Sequence, residues 1–209
     1  MTVKLVNLGL PKSGTTTLAL ALSKAGWRVA DHKLRPDHVP DPALIGRFVA
    51  ELIYDGYFAG GDPFACLGMY EALSEVSVIN AAISLWPQCD YALLRAMRRP
   101  GVLFVATWRP PDEIACSMRR WNTLGTQRLP KGAIPGLPRG YGGRDDELLR
   151  WIEGHYAMLR EVFANDPAYL ELPVAAKDAS ARLGMHIGQE IPWWGRANVN
   201  RKNPPPRRG

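Results

Sequence analysis

A chain of 209 residues with 46% hydrophobic and 22% charged side chains holds enough apolar material for one buried core, which excludes a mostly disordered or collagen-like polymer. Its 26 basic and 20 acidic residues leave a net charge of +6, and the excess is segregated. Residues 95–144 carry ten Lys/Arg against Asp112 and Glu113, whereas residues 45–94 carry Arg47 against six carboxylates, so the basic block either meets an anionic ligand or forms a solvated face.

In chain order, the apolar run at residues 3–8 predicts a strand, and after a Gly/Pro/Ser loop residues 15–25 predict a helix. Residues 27–30 predict a second strand. Pro36, Pro40 and Pro42 then interrupt the connection to an amphipathic helix near 43–53. A helix at 64–74 and a strand at 76–79 follow, then a helix at 90–98, a strand at 102–107 and a helix at 111–121. Residues 122–143, with three prolines and six glycines and no period, read as a long loop. Leu148, Ile152, Tyr156, Leu159 and Val162 recur at helical spacing within 145–163, and 169–172 predicts a last strand. A tail from Arg196 carries five basic residues and no acid. Strands alternating with helices predict one three-layer α/β domain over 1–209 with a central parallel sheet.

Cys66, Cys89 and Cys116 are too few and too widely spaced for a disulfide framework or a C-x-x-C metal site, and read as buried thiols of a reducing, cytoplasmic protein. Lys4 and Lys12 interrupt any signal-peptide core, and no run approaches the roughly 20 apolar residues of a membrane span.

The loop between the first strand and the first helix, Gly9-Leu10-Pro11-Lys12-Ser13-Gly14-Thr15-Thr16, lies where backbone N–H groups and a helix N-terminus bind anionic oxygens. Gly9 and Gly14 have the spacing of G-x-x-x-x-G-K-[ST], but Thr15 occupies the lysine position and the lysine stands at 12. Pro11-Lys12-Ser13-Gly14-Thr15-Thr16 resembles the sulfotransferase superfamily, whose loop reads P-K-[ST]-G-[ST]-[ST]. That resemblance implies a P-loop nucleotide-binding fold. It also implies sulfuryl transfer from 3′-phosphoadenosine 5′-phosphosulfate to a hydroxyl or amine of a small-molecule or glycan acceptor. Pro11, Lys12, Ser13, Gly14, Thr15 and Thr16 would hold the 5′-phosphosulfate, with Lys12 at the bridging oxygen. Thr17 follows them as a further donor-binding position, where the cytosolic branch carries an aromatic residue.

A second match to the family is an arginine ending a later strand and a serine eight residues on in a helix: Arg109 and Ser117, which the resemblance assigns to the 3′-phosphate. Pro111 and the acids Asp112 and Glu113 make a sound helix start. A basic segment closing over that phosphate is matched by Arg201 and Lys202, after Trp193-Trp194-Gly195.

Sulfuryl transfer is an in-line displacement in which the protein positions the partners and stabilises charge on the leaving oxygen, and no metal is expected. The acceptor proton needs a base. His32, at the end of the second predicted strand, is the candidate, with Asp31 and Asp62 behind it. Asn80 ends the presumed third strand, where some relatives carry an acid. His38, His155 and His186 sit in no motif, and Trp86, Trp121 and Trp151 read as core. The 122–143 loop would gate the acceptor. Two other readings stand beside this one: a P-loop kinase using ATP and magnesium, and a non-enzymatic anion- or nucleic-acid-binding module, nucleic acid being the less favoured partner.

Overall fold

The computed structural model describes residues 3–36, 39 and 41–197. Five parallel strands form a central sheet in the order β2-β3-β1-β6-β7: β1 Leu5–Asn7, β2 Val29–Ala30, β3 Ala72–Leu73, β6 Leu103–Trp108 and β7 Tyr169–Pro173. Leu5 pairs with Ala72 on one side of β1 and with Leu103 on the other. A separate antiparallel hairpin joins β4 Val78–Ile79 to β5 Ser84–Leu85.

Side chains alternate across the sheet as extended backbone requires. Leu5, Val29, Ala72 and Val105 face helices α1 (Thr15–Lys24) and α7 (Ala179–Ile187). Val6, Ala30, Leu73, Phe104 and Ala106 face α2 (Val49–Gly60), α3 (Tyr91–Met97), α4 (Pro111–Arg120) and α6 (Asp145–Val162). Both faces are therefore covered, as a parallel sheet built from helical crossovers demands.

The amphipathic helix expected near 43–53 starts late. Pro42–Leu44 form a single 3₁₀ turn, and α2 begins only where the Phe48 N–H can donate to the Glu51 carboxylate at 3.0 Å. The expected helix at 64–74 is a chain of one-turn bends, with Leu67 N–H on Phe64 C=O and Tyr70 N–H on Leu67 C=O, both at 2.9 Å. Phe64, Leu67 and Tyr70 are buried at every third position, which imitates helical periodicity. The segment then delivers β3, so the third central strand is Ala72–Leu73 and not 76–79. Asn80 accordingly sits in the β4–β5 turn, where its carbonyl accepts the N–H groups of Ala82 and Ile83. Helix α7 carries no expectation from the sequence. The cysteines are all free, but Cys116 is exposed and the other two only partly buried, which corrects the reading of all three as buried.

Residues 122–143 are also more ordered in shape than a loop. They hold a π-helical turn at Leu124–Arg128, one short turn α5 (Leu129–Lys131) and a bridge between Ile134 and Leu137, with Leu124, Leu129, Ile134 and Leu137 all buried.

The ends of three strands are joined by one buried amide. Asn7 donates to the Ser74 carbonyl at 2.7 Å and accepts from the N–H groups of Gly9 at 3.1 Å and Thr107 at 3.0 Å. Replacing it strands all three partners without water. Asn7→Ala is expected to lower unfolding free energy by about 2–4 kcal/mol. Urea unfolding checks this, and a loss below about 1 kcal/mol with an unchanged m-value would contradict it.

Candidate functional site

Because the sheet is parallel, the residues after β1, β2, β3 and β6 emerge at one edge, where ligands bind in open α/β sheets. Lys12 follows β1, Asp31 and His32 follow β2, Glu75 follows β3 and Arg109 follows β6.

The β1–α1 loop is held on all sides. Ser13 N–H closes a turn on Leu10 C=O at 3.1 Å, with Pro11 second in the turn and Lys12 third at φ 73°. A side chain at Gly9 would run into the Thr107 hydroxyl and carbonyl, and Gly14 combines φ 123° with Val174 lying 2.8 Å from where a Cβ would stand. The fully buried Ser13 hydroxyl bonds the Thr107 hydroxyl at 2.7 Å. From α6, Tyr156 donates to the Thr107 carbonyl at 2.8 Å and accepts Leu10 N–H, while His155 Nε2 donates to the Leu8 carbonyl at 2.9 Å. Burial lowers the His155 pKa to about 4, so the ring is neutral and its Nδ1 is left to accept the Cys89 thiol at 3.5 Å. His155, which no sequence motif marks, is thus a buried prop of the loop.

Helix α1 starts at Gly14 with no side-chain cap and no acid in its first turn. Its first N–H groups have no acceptor within the helix, and the partial positive charge there is uncompensated by an N-terminal carboxylate of the helix itself. Thr16 is exposed beside it. Thr15 instead turns its hydroxyl to Glu75 at 2.8 Å. Thr17 is committed elsewhere: its hydroxyl donates to Gly195 C=O at 3.1 Å and accepts Ala197 N–H, tying the C-terminal segment across α1. Arg201 and Lys202 lie outside the described residues.

Around this loop the charges are unusual. Glu75 is held above the usual glutamate range, burial outweighing the Thr15 hydrogen bond and the nearby His32. Lys12 is held below the usual lysine range, burial and then Arg109 outweighing the attraction of Glu75. Each group is pushed toward its neutral form, the pattern expected of proton-handling sites. His32 is shifted the other way. Its hydrogen bond to Asp31 raises its pKa against burial, and its side chain is 44% exposed. Arg109 ion-pairs with Glu113 at 2.6 Å, one turn on in α4, and its other nitrogen reaches the Lys12 carbonyl at 3.4 Å. Ser117 is partly buried on the same helix. Asp62, a reserve candidate, is drawn away to Arg99. The Lys12 ammonium rests 3.5 Å from the centre of the Trp121 ring, a contact that corrects the reading of Trp121 as core alone.

The structure therefore brings together Lys12, Thr15, Thr16, His32, Arg109 and, unmarked in the sequence, Glu75. Glu75 was concealed because the expected helix at 64–74 hid the two-residue strand that it follows. No protein-family model matches this chain, and no curated protein matches it in sequence. No helix among the described residues is long and apolar enough to cross a membrane.

Between the ordinary glutamate pKa and the raised native value, folded Glu75 keeps a proton that the unfolded chain has lost, so stability falls as pH rises through that window. Glu75→Gln preserves an acceptor for Thr15 without the charge. It is expected to melt above the parent at about pH 8, with the difference closing near pH 4. A difference that is the same at both pH values in thermal scans would contradict this.

Proposed function

We propose that the protein transfers a sulfuryl group from 3′-phosphoadenosine 5′-phosphosulfate to a hydroxyl or amine of a small-molecule or glycan acceptor, in a P-loop-type nucleotide site. The observation that carries the reading is the pairing of an uncapped α1 N-terminus with two cations, Lys12 and Arg109, that meet over the same loop. That set suits a doubly anionic nucleotide. In this reading the N–H groups at the start of α1, with Pro11, Ser13, Gly14, Thr15 and Thr16 shaping the loop, receive the 5′-phosphosulfate. Lys12 stabilises the bridging oxygen as the S–O bond breaks. Arg109 exchanges its partly exposed partner Glu113 for the 3′-phosphate, and Ser117 adds a hydroxyl. Thr17 acts through the C-terminal segment, and the family resemblance alone assigns Arg201 and Lys202 to the 3′-phosphate.

The acceptor oxygen or nitrogen forms the new bond to sulfur and gives up its proton to the protein. Glu75 is the better acceptor for that proton. Its carboxyl lies against Thr15 at the start of α1 and burial raises its pKa, which makes it the stronger base, whereas the upward shift of His32 leaves the imidazole more fully protonated. His32 then supplies positive charge near the acceptor. A cytoplasmic setting accompanies this reading, the three cysteines being free thiols.

One observation favours the kinase alternative. A carboxylate just beyond the strand beside β1, 2.8 Å from the hydroxyl that opens α1, is also an arrangement that can serve a magnesium ion. The two readings separate on the donor. Incubation with 3′-phosphoadenosine 5′-phosphosulfate and a panel of phenols, amines and sugars is expected to release adenosine 3′,5′-bisphosphate without added metal. Lys12→Ala is expected to lower that release by about 10²–10³-fold with the fold intact by circular dichroism. Turnover of ATP with magnesium, with none of the sulfated donor, would replace this reading by the kinase one.

A further inference from the structure

Trp121 packs against the core and also carries the Lys12 ammonium, and four observations bear on that contact. The ammonium sits squarely over the indole at 3.5 Å, near enough for a strong cation–π attraction at a half-buried site. Lys12 and Glu75 carry opposite charges at one sheet edge and attract each other, yet Glu75 bonds Thr15 while Lys12 goes to the indole. Backbone on both sides of the contact is held in the left-handed region: Lys12 itself at φ 73° and Asn122, directly after Trp121, at φ 46°, two of the three non-glycine residues so placed among those described. Such conformations persist where the surroundings enforce them. Lastly, Trp121 is where α4 hands over to the 122–143 segment, and Arg119 clamps that segment by bonding both the Gly125 carbonyl and Asp145 at the start of α6.

Resting on the transfer reading above, we infer that Trp121 is a positioning residue that keeps the Lys12 ammonium apart from the Glu75 carboxylate, so that the leaving-group cation and the proton acceptor do not neutralise each other. Without the indole, the flexible lysine would swing to the nearest carboxylate. The site would then hold a closed ion pair in place of two working groups.

The groups around Glu75 that bear on the test are Lys12 from the loop, Thr15 from α1, and Asp31 and His32 after β2. If Lys12 closes on Glu75, the carboxylate is stabilised and the acidic limb of the kcat profile moves to lower pH. Trp121→Ala is thus expected to lower kcat by about tenfold or more with the donor KM within about twofold, and to move that limb down. Trp121→Phe, which keeps an aromatic face, is expected to restore most of both.

A second readout does not depend on turnover. Lysines reductively methylated with carbon-13 keep their charge, and the Lys12 resonance of the parent is expected upfield through the indole ring current, returning to the position of the other lysines in Trp121→Ala. A Lys12 resonance that is unshifted in the parent, or a Trp121→Ala variant with unaltered kcat and pH profile, would overturn the inference. A parent that transfers no sulfuryl group but shows the ring-current shift would overturn the donor reading and leave the placement of Lys12 on Trp121 standing.

Discussion

The Asn7 side chain is the joint on which the site is built. A single buried amide satisfies the Ser74 carbonyl beyond β3, the Gly9 N–H that opens the loop and the Thr107 N–H in β6, so the ends of three adjacent strands share one hydrogen-bond centre. Left unpaired at that depth, those backbone groups would together cost a large part of a domain's net stability. Thr107 then passes the constraint on through its hydroxyl to Ser13 and through its carbonyl to Tyr156. The loop is consequently a preset object, and the proposed anion would meet the start of α1 with little ordering left to be done.

Upon that frame the protein places charges that would ordinarily cancel. Glu75 and Lys12 are each drawn toward neutrality, burial being the first cause in both, and the Thr15 hydroxyl and the Trp121 ring give them separate partners. Arg109 is likewise held short of full commitment, its ion pair with Glu113 lying at the surface. An ion pair of that kind is one a phosphate or sulfate group can displace at small cost.

Much of this was readable in the chain because it rests on local chemistry. The β1–loop–α1 unit follows from an apolar run broken by Gly9 and Gly14. Helix α3 lies at the expected 90–98, and α4 and α6 follow from Pro111 at a helix start and the long apolar face from Leu148 to Val162, each within a residue or so of its expected bounds. What was hidden depends on tertiary contact. A strand as short as Ala72–Leu73 has no period of its own and exists because β1 and β2 flank it, so Glu75 could not be recognised as a strand-end residue and Asn80 stood in its place. His155 and Trp121 were unreadable for the same reason, since their partners, Leu8 and Lys12, lie more than a hundred residues away. The 122–143 segment looked structureless by composition, but four buried aliphatic side chains spaced along it hold it to the body of the protein.

The 3′-phosphate separates the proposed donor from ordinary adenine nucleotides, and Arg109 is the group that would read it. Calorimetric titration of the full chain with adenosine 3′,5′-bisphosphate and with adenosine 5′-monophosphate measures that discrimination without any acceptor. The expected result is a preference for the bisphosphate of more than about tenfold, or roughly 1.4 kcal/mol, most of which disappears in Arg109→Ala while monophosphate affinity changes little. Equal affinity of the parent protein for the two nucleotides would contradict the account.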